Sequence, residues 1–258
     1  GVPLEAIAEA ILKERIPDLL RVRLLRRLQG DQAMVPVTDR REPAAFDALA
    51  ELVRSGEVLF DLESRQWVPN YLVEHVNETS GLGMIRVNRP EARNAVNPPA
   101  LRQLAAAFTR MRRDPRVTKI VFTGTDDIFV AGADLKFSAT IQTPDEKRAW
   151  LELGQGVTNL IEATNKDKPV IAALNGDAYG GGLEMALAAG VRVAVKKAKM
   201  GLTETRLGLI PAWGGTQRLP RKTKRVWDGV EMIANARIVS AQQASERGIV
   251  DKVVEDPA

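Results

Sequence analysis

The chain has 258 residues, of which 45% are hydrophobic, and its 37 Lys and Arg against 33 Asp and Glu give a formal net charge of +4. This length allows one sizeable domain and a small one, and so modest a charge does not favour nucleic acid as a partner. The absence of cysteine excludes disulfides and thiol nucleophiles, and with His75 as the single histidine we expect neither a Ser-His-Asp triad nor a metal site.

The first seventy residues predict a small helical module that ends in a β-hairpin. Apolar residues at helical spacing indicate two short helices within 3–28, separated at Pro17, and another helix in 44–54. An alternating run over 57–69 indicates the hairpin. We therefore assign 1–70 to a domain of its own.

Helices followed by a hairpin are typical of a winged-helix module, which binds nucleic acid. Four arginines of the predicted helices fit that role by their charge: Arg21, Arg23, Arg26 and Arg27. They alternate with leucines, however, and no helix stands out that would read bases. We therefore favour a docking domain whose arginines are solvated or meet a neighbouring domain.

Residues 71–258 are predicted to form the main domain, with a linker around 70–82. Short apolar runs predict strands, and the periodic segments between them predict helices. The strands are 82–87, 119–122, 170–174 and 191–195, and the helices are 99–113, 147–163 and 183–189. Repeated strand-to-helix crossovers predict an α/β fold with a largely parallel sheet covered by helices.

Two of the strand-to-helix turns are rich in glycine. Gly180, Gly181 and Gly182 precede a helix with Glu184 on its first turn, and the turn at 131–134 has the same strand, glycine and helix order. The N–H groups at such a helix start have no intrahelical acceptor, and the helix dipole favours negative charge there. These turns therefore suit a carbonyl oxygen that becomes negative. The alternative is a tightly packed turn beside a solvated Glu184.

A second carboxyl group, Glu204, lies shortly before another glycine turn at 210–218. Two carboxyl groups framed by glycine turns indicate general acid and base chemistry. If they lie close together, each raises the proton affinity of the other, so one can stay protonated near neutral pH. Taken alone, Glu204 would more often be a surface residue.

Five segments, in their order and spacing, resemble the enoyl-CoA hydratase/isomerase (crotonase) superfamily. They are 88–95, 131–134, 180–184, Glu204 and 214–218. The resemblance runs from about Val73 to Val254, which is most of the chain. It implies a crotonase-like fold, a spiral of ββα turns with a largely parallel sheet.

The resemblance also implies roles for four residues. The N–H groups of Ala133 and Gly181 would form the oxyanion hole for the thioester carbonyl of a coenzyme A ester. Hydratases of the family use both carboxyl groups that match Glu184 and Glu204, whereas many other members keep one or neither. This implies an enoyl-CoA hydratase, which converts a 2-enoyl-CoA to a 3-hydroxyacyl-CoA or catalyses the reverse dehydration. Glu204 would donate the proton to the α-carbon, and Glu184 would activate the water.

Six further residues are expected to bind the coenzyme A part of the substrate: Arg89, Arg93, Ala95, Ala131, Asp134 and Lys136. For the three cations among them, the alternative is a solvated surface. Coenzyme A enters as part of the thioester, so we expect no metal and no redox cofactor.

The sequence departs from the family pattern at several places. Gly190 stands where the family usually has an aspartate, and Thr203 stands where a proline commonly precedes the second carboxyl group. Family members usually continue past the equivalent of Val254 with helices that close the acyl pocket and build a trimer. We therefore expect a piece of a longer, multidomain polypeptide, with acyl-CoA as substrate and a homotrimer or larger assembly as the family expectation.

Two alternatives to the hydratase stay open, an enoyl-CoA isomerase and a non-catalytic RNA-binding or docking protein on a hydratase scaffold. The presence of both carboxyl groups favours catalysis, because a binding protein has no need of them. No apolar run approaches the roughly 20 residues that cross a bilayer, and no signal peptide opens the chain. These observations predict a cytoplasmic protein, unless a targeting segment before Gly1 has been removed.

Overall fold

A computed structural model describes residues 55–61, 63 and 66–255, which fall into two compact units divided between Asn70 and Tyr71. In the first unit, β1 (Val58–Asp61) and β2 (Gln66–Pro69) pair antiparallel, so the predicted hairpin is confirmed. The predicted helices within 3–28 and 44–54, with their four arginines, lie outside the described residues.

The second unit begins with a second hairpin, where the sequence predicted a linker. Strand β3 (Leu72–Asn77) pairs antiparallel with β4 (Leu82–Val87) along its whole length. The linker prediction over 70–82 was therefore wrong. The turn explains why: Asn77 Oδ1 accepts a hydrogen bond from Ser80 N at 3.1 Å, and Gly81 takes a φ of +63° that closes the turn.

The rest of this unit repeats a strand, strand, helix pattern. The remaining strands are β5 (Lys119–Gly124), β6 (Ile128–Val130), β7 (Val170–Leu174), β8 (Asp177–Tyr179), β9 (Val191–Val195), β10 (Lys199–Gly201), β11 (Val239–Ser240) and β12 (Lys252–Val254). One sheet has six strands in the order β12-β9-β7-β5-β4-β3, and the other has four in the order β11-β10-β8-β6. In three strand pairs, β5–β6, β7–β8 and β9–β10, the first strand thus belongs to the large sheet and the second to the small one.

Seven α-helices lie between the strands that the structure describes. They are α1 (Pro98–Arg113), α2 (Leu135–Ser138), α3 (Pro144–Asp167), α4 (Gly181–Ala188), α5 (Gly215–Lys222), α6 (Val226–Ala234) and α7 (Ala241–Glu246). The α3 helix starts earlier than predicted because Thr143 and Glu146 form a capping box in front of it. Among the described helices, none combines the length and the hydrophobicity needed to cross a membrane.

The sheet topology confirms the predicted α/β fold. Within the large sheet every pairing except β3 with β4 is parallel, and in the small sheet only β10 with β11 is antiparallel. Side chains of β4 and β7 alternate between buried and half-buried, as expected of strands that have one face on the core. The core holds a row of edge-to-face rings formed by Phe108, Phe122 and Phe129.

Candidate active site

Three segments with predicted functional residues follow neighbouring strands of the small sheet. Strands β6, β8 and β10 are parallel neighbours, so their carboxyl ends meet at one edge. The turn at 131–134 follows β6, Gly180 and Gly181 follow β8, and Glu204 comes shortly after β10. Crevices at the carboxyl ends of strands are where α/β folds bind ligands.

The first two of these turns touch each other. Gly132 has a φ of +107°, and a Cβ atom there would lie 2.8 Å from Tyr179 O and 3.4 Å from Gly181 N. Only glycine allows so close an approach of the two backbones. In the described part of the chain, the N–H groups of Ala133 and Gly181 donate to no protein acceptor. Two free donors therefore lie on adjacent turns.

Helix α4 places Glu184 in a buried position against a third turn. The residue is 2% exposed, and its Oε1 atom accepts hydrogen bonds from Trp213 N at 2.8 Å and Gly215 N at 2.7 Å. Burial raises the pKa of Glu184 to about 7, and the negative charge of Glu204 adds to that rise. The two N–H donors and the positive charge of Arg218 act in the opposite direction.

Glu204 has a different environment. It opens a short 3₁₀ helix, Glu204–Leu207, and its buried Oε2 atom has no hydrogen-bond partner within the described part of the chain. Burial raises the pKa of Glu204 above its ordinary value. A Cβ atom on Gly180 would lie 3.1 Å from Glu204 Oε1, so this carboxyl group lies directly over the Gly180 backbone.

One cavity of about 610 Å³ brings these groups together. Ala133, Gly181, Glu184 and Glu204 all line it. Its apolar walls come from eight other side chains: Leu135, Ile141, Trp150, Leu151, Leu207, Leu209, Ile210 and Trp213. A cavity with two carboxyl groups, two free N–H donors and apolar walls suits an acyl group whose carbonyl oxygen becomes negative.

The aromatic part of this wall was not among the predicted site residues. Trp150 packs edge-to-face between Phe137 and Trp213, with ring centres 5.2 and 5.3 Å away. A Cβ atom on Gly181 would lie 2.2 Å from the Trp213 ring, so the indole lies against the start of α4. The Tyr179 ring is not part of this row, and its hydroxyl donates a hydrogen bond to Asp177 at 2.9 Å. Only its proximity to Gly214 and Gly215 in sequence pointed to Trp213 beforehand.

The residues predicted to bind coenzyme A fall into two groups. Arg89 and Asp134 form an ion pair of 2.7 Å, with side chains that are 13% and 11% exposed. Arg89 also donates to Ala95 O and lies over the Tyr71 ring. Burial would raise the pKa of Asp134, but hydrogen bonds from Arg89 and from backbone N–H groups hold it below its ordinary value. Both side chains are thus engaged with protein partners.

Arg93 and Lys136 have exposed side chains for which the described residues offer no hydrogen bond or ion pair. Ala131 N donates to Arg93 O at 3.2 Å, so Arg93 adjoins the turn that precedes Ala133. Lys136 lies in α2, which follows the same turn. These two cations, at opposite ends of the turn, are free to meet an anion.

The two departures from the family pattern have local consequences. A Cβ atom on Gly190 would lie 2.2 Å from Asn165 Oδ1, so the Asn165 side chain occupies the space that a larger residue would need. Asn165 Oδ1 accepts a hydrogen bond from Val170 N at 2.9 Å. Thr203 lines the cavity beside Glu204 and precedes its 3₁₀ helix.

Comparison with known sequences identifies a family and several related proteins. The sequence pattern of the family described as Enoyl-CoA hydratase/isomerase matches residues 77–257. The crotonyl-CoA hydratase of Syntrophomonas wolfei is 42% identical over 177 residues, which are 67% of this chain and 66% of that protein. The mitochondrial methylglutaconyl-CoA hydratase of Mus musculus is 40% identical over 71% of this chain and 58% of its own length. The chain thus spans less than two thirds of either relative.

Solved structures give the same fold. The enoyl-CoA hydratase from Bacillus anthracis has a TM-score of 0.68 and 35% identity, and the match covers 72% of this chain and 71% of that one. DspI from Pseudomonas aeruginosa has a TM-score of 0.67 and 31% identity, over 72% of this chain and 74% of its own. The expectation of a crotonase-like fold is therefore confirmed.

Proposed function

The chain belongs to the enoyl-CoA hydratase/isomerase family, and from that membership we propose that it adds water across the 2,3 double bond of 2-enoyl-CoA thioesters or catalyses the reverse dehydration. The observation that carries the proposal is the single cavity lined by two carboxyl groups and two free backbone N–H groups. Relatives named as crotonyl-CoA hydratase and short-chain-enoyl-CoA hydratase support it.

In the proposed reaction, the thioester oxygen lies between the N–H groups of Ala133 and Gly181. Their hydrogen bonds draw electrons toward that oxygen, so the β-carbon becomes electrophilic and the enolate that follows is stabilised. Removing one donor of this kind typically costs about 3 kcal/mol of transition-state stabilisation. The partial positive charge at the start of α4 acts on the same oxygen.

The two glutamates deliver the elements of water. Glu184 takes a proton from the water, whose oxygen bonds to the β-carbon, and the electrons of the double bond reach the α-carbon, which takes a proton from Glu204. The product is a 3-hydroxyacyl-CoA. Glu184 ends protonated and Glu204 ends ionised, so a proton passes back before the next turnover.

The surroundings of the two carboxyl groups support this division of roles. Two N–H donors on Glu184 Oε1 stabilise its ionised form, and a pKa of about 7 keeps a large share of it ionised at neutral pH. Among the described residues no group donates to Glu204 Oε2, and burial raises the pKa of Glu204 as it does that of Glu184. The two donors at Glu184, and not the pKa values, therefore favour Glu204 as the proton donor. Because charges so close titrate together, the division describes the pair.

Two observations support the choice of substrate: the exposed cations beside the cavity and the names of the relatives. We propose that Arg93 and Lys136 meet the phosphates of coenzyme A, whereas Arg89 and Asp134 stabilise the turn that carries Ala133. The named substrates of the relatives, crotonyl-CoA and methylglutaconyl-CoA, make a short acyl group the first choice. A trimer stays a prediction, which light scattering tests by a mass three times that of the chain.

The experiment is to follow the enoyl-thioester absorbance of crotonyl-CoA with the parent chain and with Glu184→Gln and Glu204→Gln. We expect turnover by the parent and its loss in both variants, with the exposed Glu152→Gln as a control that keeps it. If Glu184→Gln spared hydration but abolished double-bond migration, Glu184 would not be the base that activates water, and the isomerase alternative would gain. Binding of the ester without turnover by the parent would favour a docking protein.

A further inference from the structure

The turn that holds Glu184 is itself held from behind. Gln155 Nε2 donates to Ala212 O at 2.7 Å, and the buried Thr158 hydroxyl donates to Trp213 O at 2.7 Å, both from helix α3. On its other side, the N–H groups of Trp213 and Gly215 in the same turn donate hydrogen bonds to Glu184. The position of the carboxyl group therefore depends on where α3 and its partners fix this turn.

Arg218 is the charged residue among those that hold this turn. Its Nη1 donates to Trp213 O at 3.0 Å, its Nη2 donates to Asn159 Oδ1 at 2.9 Å, and its Nη2 and Nε reach Glu162 Oε2 at 2.7 and 3.1 Å. The side chain is only 12% exposed. A Cβ atom on Gly214 would lie 2.0 Å from Nη1, so this end of the guanidinium lies close against the Gly214 backbone.

Arg218 does not reach the cavity that holds the two glutamates. It lines a second cavity of about 450 Å³, and Trp213 forms part of the wall of both cavities. The second cavity also contains Arg221 and Lys222. A positive charge thus lies behind the turn that contacts Glu184, and it does not line the cavity that would hold the substrate.

We propose that Arg218 is a positioning residue for Glu184, which fixes the Trp213–Gly215 turn through Trp213 O and places a positive charge behind the carboxyl group. This role deepens the proposed hydration, because Glu184 acts as base only while it is ionised. Glu162 moderates the effect, since its carboxylate neutralises part of the Arg218 charge.

The other charged groups around Glu184 are few. Glu204 faces it across the cavity and disfavours its ionised form, whereas Arg218 favours that form. Lys147, from α3, lines the same cavity with an exposed side chain. Among these groups, Arg218 is the cation fixed by a network of hydrogen bonds.

The test is a titration of the Glu184 carboxyl carbon by NMR in protein labelled with ¹³C at the glutamate carboxyl groups. Glu184→Gln identifies the resonance. Arg218→Met and Glu162→Gln break the same ion pair but remove charges of opposite sign, so they form a matched pair. Arg221→Gln removes a cation from the same cavity that does not touch the turn.

We expect the titration midpoint of Glu184 to rise in Arg218→Met, to fall in Glu162→Gln and to stay at the parent value in Arg221→Gln. Arg218→Lys, which keeps the charge, should restore most of the parent midpoint. Shifts of the first two variants in the same direction, or no shift in either, would overturn the proposal. If Arg218→Met failed to fold, the lysine variant and Glu162→Gln would still decide.

The titration needs no substrate, so its outcome is independent of whether crotonyl-CoA is hydrated. Where turnover is present, the acid limb of the pH–rate profile should move in the same direction as the midpoint. For Arg218→Met, the turnover at pH 6 relative to pH 9 should fall by about three- to tenfold. A uniform loss at every pH would indicate a structural role alone and contradict the proposal.

Discussion

Glu184 and Glu204 line the same cavity, yet the protein holds them in opposite ways. Glu184 lies in a regular helix, and two backbone N–H groups occupy one of its oxygens. Glu204 lies at the start of a single 3₁₀ turn, and none of the described residues forms a hydrogen bond with its buried Oε2 atom. In the proposed mechanism, these different hydrogen-bond donors are what allow one residue type to serve as base at one position and as acid at the other.

The largest effect that tests this contrast is expected from Glu204→Gln. Because glutamine cannot give a proton to the α-carbon, hydration of crotonyl-CoA should fall by about 100- to 10,000-fold. Stability should hold, since the removed oxygen has no partner to lose. Steady-state kinetics and urea unfolding measure the two quantities, and intact turnover would remove Glu204 from the mechanism.

Glu184 should behave in the reverse manner when its side chain is truncated. Glu184→Ala leaves two buried N–H groups without an acceptor, so the free energy of unfolding should fall by about 2 to 4 kcal/mol. Glu184→Gln keeps an oxygen at that position and should cost less than about 1 kcal/mol. Equal losses in the alanine and glutamine variants would mean that the two hydrogen bonds do not stabilise the fold.

The pH dependence of stability sharpens the same contrast. Burial raises the pKa of Glu184 from 4.5 to about 7 in the folded protein, so the folded state binds a proton more tightly than the unfolded state. The stability contributed by this group is therefore fully present below pH 4.5 and is lost as pH rises to about 7. Over that window Glu184→Gln should remove a decline of up to about 3 kcal/mol. If the free energy of unfolding changed by the same amount between pH 4.5 and pH 8 in the parent and in the variant, this prediction would be contradicted.

The smallest effect is expected at the coenzyme A end of the substrate, which extends out of the cavity. Lys136→Gln should raise the KM for crotonyl-CoA by about three- to tenfold with little change in kcat, because one charge contact with a phosphate is lost. The control is a crotonyl thioester of pantetheine, which lacks the phosphates. If its KM rose equally, Lys136 would act on the fold of the turn rather than on coenzyme A.

Much of the fold was predictable because its strands have one buried face. The predicted strands at 82–87, 170–174 and 191–195 agree with the observed bounds. The segment 70–82 was misread as a linker because its strand lies at a sheet edge, where exposed polar residues break the apolar pattern. Its turn residues, Asn77 and Gly81, were the signal that a hairpin was present.

The site was predictable in its parts but not in its connections. Glycine turns and carboxyl groups are visible in the sequence, and the family resemblance placed Glu184 and Glu204 together. The contacts from Trp213 and Gly215 to Glu184 join residues about thirty positions apart through the packing of two helices, which no local pattern encodes. The same holds for Arg218, whose side-chain partners Asn159 and Glu162 lie on α3.

Hydration of crotonyl-CoA in D₂O, followed by proton NMR, tests whether the two glutamates together add water to the double bond. We expect a 3-hydroxybutyryl product with one deuterium at the α-carbon, formed by the parent chain and not by Glu184→Gln or Glu204→Gln. A shifted double bond without a hydroxyl group, or a product that forms equally in both variants, would contradict it.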